Sequence, residues 1–128
     1  MHVADPRQVP ANVFLYTLHP VRTAMLTEGP TPEEQALAGQ HWAYSTQLLA
    51  AGTIIFAGRT LTRDADSFAS VVIRAESEDA ARAVMEDDPA VRGGVFRARL
   101  FPYQPMLMGA WPPEAATASP PGAGAGAL

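Results

Sequence analysis

Between residues 31 and 52 the chain reads TPEEQALAGQHWAYSTQLLAAG, and its larger side chains recur with helical spacing. Leu37, His41, Tyr44 and Leu48 stand at i, i+4, i+7 and i+11, one stripe of a helix with about 3.6 residues per turn. Thr31 is a suitable N-cap, Pro32 suits the first helical position, and Glu34 completes a capping box. Gly52 is the natural stop. The stripe must face the core, so His41 points inward. This helix alone leaves two readings of His41 open: a packed core histidine bonded to backbone, or a group kept inside for its chemistry.

The strands show a different pattern. VFLYTLH, residues 13–19, is a run of apolar and β-forming residues without clean polar alternation, as expected of a strand covered on both faces. Pro20 ends it, and a loop through Thr27, Glu28, Gly29 and Pro30 leads to the helix. TIIFAGRT (53–60) and SFASVVIRAE (67–76), separated by the polar LTRDAD, predict a hairpin. Ser77 caps a second helix, EDAARAVMEDD, with Ala80, Ala83 and Val84 as a narrow apolar stripe. Pro89 forbids its continuation. After a turn at Gly93 and Gly94, VFRARLFPY is the last strand.

The order strand, helix, strand, strand, helix, strand predicts an α+β, ferredoxin-like βαββαβ protomer: a four-stranded antiparallel sheet with two helices on one face. Two helices cover only one face of a sheet whose first three strands are apolar on both, so the other face calls for a partner. A homodimer with sheets face to face is the simplest solution. Residues 1–12 read as a flexible arm, 13–108 as the domain, and 109–128, with Pro112, Pro113, Pro120 and Pro121 among alanines and glycines, as a disordered tail.

Composition narrows the chemistry. The chain has 128 residues and a formal net charge of −4, room for one core of about 95 residues. All nine basic residues are arginine, scattered along the chain, which argues against nucleic acid as a partner. The apolar runs are far short of a spanning helix and the first residues lack the pattern of a signal peptide, so a cytoplasmic protein without a membrane role is expected. With no cysteine and no lysine, thiolate nucleophiles, lysine Schiff bases and Walker-type phosphate loops are excluded. Only His2, His19 and His41 are imidazoles, with no pair at helix spacing, so no metal and no cofactor is expected. Catalysis must then run on carboxylates, imidazole, hydroxyls or arginine.

Glu86, Asp87 and Asp88 lie at the negative end of the second helix, where each exposed carboxylate is disfavoured by about 0.3 to 1 kcal/mol. A broken local rule marks either a functional site or a solvated surface turn. In this fold both helices share one face of the sheet, so an inward residue of the first can meet a residue at the end of the second. His41 beside such a carboxylate is an oriented general acid or base.

Taken together, His41 in mid-helix, the run Leu48, Leu49, Gly52 to Ala57, Gly58, and Asp88, Pro89 after the second helix resemble the YciI-like proteins of the dimeric α/β-barrel superfamily, over about residues 13 to 107. The resemblance implies a ferredoxin-like protomer, a dimer through the sheets, and a catalytic pair at His41 and Asp88. The family includes enzymes that eliminate HCl from chlorinated hydroxyquinols; wider relatives include muconolactone isomerase and cofactor-free monooxygenases. The chain departs from the family pattern at Ala90, where an aromatic is common, and at Arg59, where proline is common, which suggests a larger or anionic substrate. Tyr16, Tyr44, Trp42 and Arg59 are therefore the expected substrate-binding residues; for the aromatics the alternative is core or dimer packing. Arg97 and Arg99 share a face of the last strand as anion grips or edge guards. The leading expectation is a cofactor-independent lyase or isomerase for a phenolic, lactone or polyketide-like small molecule. Its rivals are a cofactor-free monooxygenase and a non-catalytic ligand-binding module.

Overall fold

The computed structural model of the chain describes residues 2–3 and 12–112. In order, the elements are β1 (His2–Val3), β2 (Val13–Pro20), α1 (Ala24–Thr27), α2 (Pro32–Ala50), β3 (Ile54–Arg59), β4 (Ala69–Arg74), α3 (Glu78–Glu86), α4 (Pro89–Arg92), β5 (Phe96–Pro102) and β6 (Leu107–Met108). Strands β3, β4, β2 and β5 form, in that order, an antiparallel four-stranded sheet. This is the expected α+β, ferredoxin-like arrangement, with β2 and β4 central. The two-residue β1 pairs antiparallel with β6. The rest of the expected arm, and most of the expected tail, lie outside the described residues.

Register decides which side chains are inside. Phe14, Tyr16 and Leu18 of β2 stand opposite Ile73, Val71 and Ala69 of β4. All six are buried, in one cluster with Ala81 and Met85 of α3, against which Leu48 of α2 packs. Both long helices therefore cover the same sheet face. The opposite face carries the alternate set: Leu15 and Thr17 of β2, Val72 and Ser70 of β4, Phe101 and Arg99 of β5, with the Arg99 guanidinium 5.2 Å from the Phe101 ring centre. In β3 the register shifts between Ile54 and Phe56. Because of that bulge Ile54 pairs with Ile73 and Ala57 with Val71 on the core side, while Phe56 stands outward.

The termini of α2 follow the local chemistry. Thr31 Oγ1 accepts from the Glu34 N–H at 3.1 Å, and Glu34 Oε1 accepts from the Thr31 N–H at 2.8 Å, the full capping box. Gly52, at φ 79°, ends the helix in the left-handed region that glycine enters without strain. Ser77 caps α3 through the Ala80 N–H.

Besides the β1–β6 pair, two short helical elements were not expected. The loop after β2 contains the single turn α1. The second helix stops at Glu86, and a separate turn, α4, begins at Pro89. The reason is Asp88: its backbone is extended, φ −61° and ψ 124°, and its Oδ1 accepts from the Ala90 N–H at 2.9 Å. The acidic run thus does not simply burden the end of α3. Its last member is the N-cap of the next turn, where a carboxylate faces the positive end of backbone dipoles.

Candidate functional site

The core stripe of α2 carries His41 to the middle of the domain, and α4 carries Asp88 to the same place. Gly93, the C-cap of α4, lets the two elements approach: a Cβ there would lie 2.6 and 2.9 Å from the two Leu37 methyls. His41 Nδ1 donates to Asp88 Oδ2 at 2.7 Å, and neither side chain has any exposed surface. Asp88 is held from its other oxygen by Ala90. The edge of the imidazole packs against Phe96, ring centres 5.6 Å apart at 72°. The ring is thereby fixed in position, and in its neutral form a carboxylate at Nδ1 favours the tautomer with the proton there and the lone pair on Nε2. That Nε2 is buried and has no hydrogen-bond partner.

Tyr16 and Tyr44 flank the pair. Tyr16 is fully buried in β2 and its hydroxyl has no partner either. Burial raises its ionisation above the ordinary tyrosine value, and the charges of Asp88 and Tyr44 add to this, so the phenol stays a neutral donor. Tyr44 is half-buried and donates to the Val84 carbonyl at 2.6 Å, bridging α2 to α3. Burial, with Asp87 and Asp88 behind it, pushes its ionisation up to about 12. Trp42 and Arg59 are elsewhere: Trp42 is 44% exposed on the flank of α2, and Arg59 is exposed at the end of β3, opposite Ala69. Among the described residues no group of three or more histidines, cysteines or acids converges on a point where a metal ion could be held.

Residues 15–102 match the family model of the YCII-related domain. The chain belongs to the YCII-related family. No curated protein matches it at a significant level. Among solved structures it is similar to 5-chloro-2-hydroxyhydroquinone dehydrochlorinase from Burkholderia phenoliruptrix in complex with 2,5-dihydroxybenzoquinone, with a TM-score of 0.55 and 23% identity, over 72% of this chain and 93% of that one. At that identity the likeness concerns the fold.

In this YCII-related chain, Ala90 is fully buried and gives its N–H to Asp88. Sequence reasoning passed over Ser45, which is 4% exposed with an unpartnered hydroxyl. The signal was available: Ser45 follows His41 by four residues, the spacing that stacks side chains on one helix face. No helix among the described residues is long and apolar enough to cross a membrane.

Proposed function

We propose that this protein is a cofactor-independent enzyme that moves protons on a small phenolic, lactone or polyketide-like molecule. The observation that carries the reading is the state of His41: Nδ1 is tied to a buried carboxylate, while Nε2 stays unpartnered inside the domain. Buried polar atoms in native proteins are nearly always bonded, so the unpartnered His41 Nε2 and the unpartnered Tyr16 hydroxyl support a site built for a reacting molecule. In the proposed step Nε2 takes a proton from a substrate hydroxyl or carbon. The electron pair left behind forms a double bond, and a leaving group such as chloride departs with its own pair; in an isomerisation the proton returns at another carbon. Asp88 offsets the charge that grows on the ring, and Tyr16 can donate to a developing oxyanion. Membership of the YCII-related family and the activity in the neighbour's name, a dehydrochlorinase acting on a hydroquinone, favour elimination from a substituted hydroquinone.

The test is turnover of chlorinated hydroquinols, followed by chloride release, with wild type and His41→Gln. The variant should keep the fold by circular dichroism and lose at least a hundredfold in rate, within the range a positioned acid–base group contributes. Unchanged turnover would end the assignment. Oxygen consumption coupled to turnover would favour the monooxygenase alternative instead.

A second reading rests on the complete burial of the pair, which links α2 to α4: a non-catalytic module in which His41 and Asp88 serve only to lock the two elements. It expects His41→Gln to lower the melting temperature and to alter no chemistry. Under either reading the protomers pair through the sheet face that no helix covers, where Leu15 and Phe101 are half-buried; sedimentation of wild type against Phe101→Glu tests this, a dimer that persists in the variant counting against it.

A further inference from the structure

His41 and Asp88 have no exposed surface, and neither has Ala90, whose N–H holds the carboxylate. A reacting molecule meets the imidazole only if something around it moves. Phe96 is the side chain placed to do so. Its ring packs against the imidazole, centres 5.6 Å apart at 72°, yet the residue is only half-buried, so it reaches from the buried pair to the surface.

The sheet explains this double contact. Phe96 opens β5, an edge strand paired only with β2, and with Ala98 and Leu100 it packs on the core side. Opposite it stands Pro20, the last residue of β2, so Phe96 occupies a corner of the sheet. The backbone at this corner is fastened. The Val95 N–H donates to the Ala90 carbonyl at 2.9 Å, and the Val95 carbonyl accepts from the Val21 N–H at 3.0 Å. Moving the chain here breaks those bonds, and moving α2 or α4 breaks the bond between His41 and Asp88. A phenyl ring makes no such bonds, and a half-buried side chain changes rotamer far faster than elements shift.

We propose that Phe96 is the gate of the buried pair: its ring swings outward to admit a molecule to His41 Nε2 and swings back to shut water out. As a gate for substrate this rests on the acid–base reading; as the control of access to Nε2 it stands separately.

Diethyl pyrocarbonate acylates unprotonated imidazole, and so reports access to Nε2 without any turnover. The chain has no lysine or cysteine to compete for it. His19, half-buried and stacked on Phe68 with ring centres 5.8 Å apart, is the reference in the same sample. Peptide mass spectrometry of the full-length protein should find His41 at least tenfold slower than His19 in wild type. Phe96→Leu and then Phe96→Ala should accelerate His41, the alanine at least tenfold, with His19 unchanged. Phe96→Trp should slow His41 although overpacking destabilises, an order that general loosening does not produce. Leu100→Ala leaves a cavity on the same face of the same strand but keeps the gate, and should change the His41 rate less than twofold. Equal His41 rates across the Phe96 series, or an equal acceleration in Leu100→Ala, overturn the proposal. So does a wild-type His41 that reacts as fast as His19. Turnover of chlorinated hydroquinols separates the two ideas: the gating order without any turnover retires the acid–base reading alone, and His41-dependent turnover without the order retires the gate alone.

Discussion

Arg22–Glu34 and His41–Asp88 are contacts of nearly equal length, 2.6 and 2.7 Å. The first lies at the surface, where Arg22 grips both carboxylate oxygens of Glu34. The second has no exposed atom. In water an ion pair gains little, because each partner is already solvated and salt screens the attraction. Inside, each group has lost its water, so every partner it keeps or lacks is felt in full. The surface pair therefore trims the start of α2, whereas the buried pair ties α4 to α2 and leaves one imidazole nitrogen without a partner.

The sharpest way to break this contrast is Asp88→Ala. It removes the cap of α4 and the partner of a buried imidazole, and should cost about 2 to 4 kcal/mol in urea unfolding; a loss below the surface pair's would erase the distinction. Next comes Gly93→Ala, whose Cβ would press on the Leu37 methyls and come within 3.0 Å of the Pro89 carbonyl oxygen. Overpacking of this kind costs about 1 to 3 kcal/mol, and turnover should fall as α4 carries Asp88 away from His41.

Tyr44→Phe should be milder, about 1 kcal/mol for the bond to the Val84 carbonyl. It also has a pH signature. Because the folded state holds the Tyr44 proton up to about 12 against an ordinary value of 10.0, its contribution is complete below pH 10 and fades as pH rises from 10 toward 12. The variant should lose part of that alkaline decline in thermal melts.

Glu34→Gln should be the smallest effect and the most sensitive to conditions. The hydrogen bond from Arg22, then the Thr31 N–H, holds the Glu34 carboxyl at about 2 against 4.5. Its contribution is therefore complete above pH 4.5 and lost as pH falls toward 2, where wild type and variant should converge. Molar salt should shrink the difference further. A salt-insensitive gap would mean that the pair acts through the capping geometry alone.

The parts of this molecule that obey local rules were readable in advance. The capping box at Thr31 and Glu34, the stop at Gly52, the Ser77 cap and the hairpin between β3 and β4 each depend on residues close in sequence. His41 was placed inward by its stripe; the run Glu86 to Asp88 was marked because acids at a helix C-terminus break a rule, and the resemblance to the YciI-like proteins picked Asp88 out of it. Its cause was not readable: Asp88 caps a turn of only four residues, too short to announce itself by periodicity. Trp42 and Tyr44, two residues apart, looked alike as pocket aromatics, yet helical rotation sends one to the exposed flank of α2 and the other to the Val84 carbonyl.

What the sequence determined by itself is the order and type of the elements, since hydrophobic period, caps and breakers act over a few residues and carry their own physics. What only the tertiary structure decided is which distant groups end together without water. The 2.7 Å bond between residues 41 and 88, the unpartnered Tyr16 and Ser45 hydroxyls and the outward turn of Phe56 all arise from strand register, one bulge and the close approach at Gly93. These are differences of a few ångströms between elements far apart in the chain, and no local pattern encodes them because the energy that sets them is packing energy, shared across the whole core.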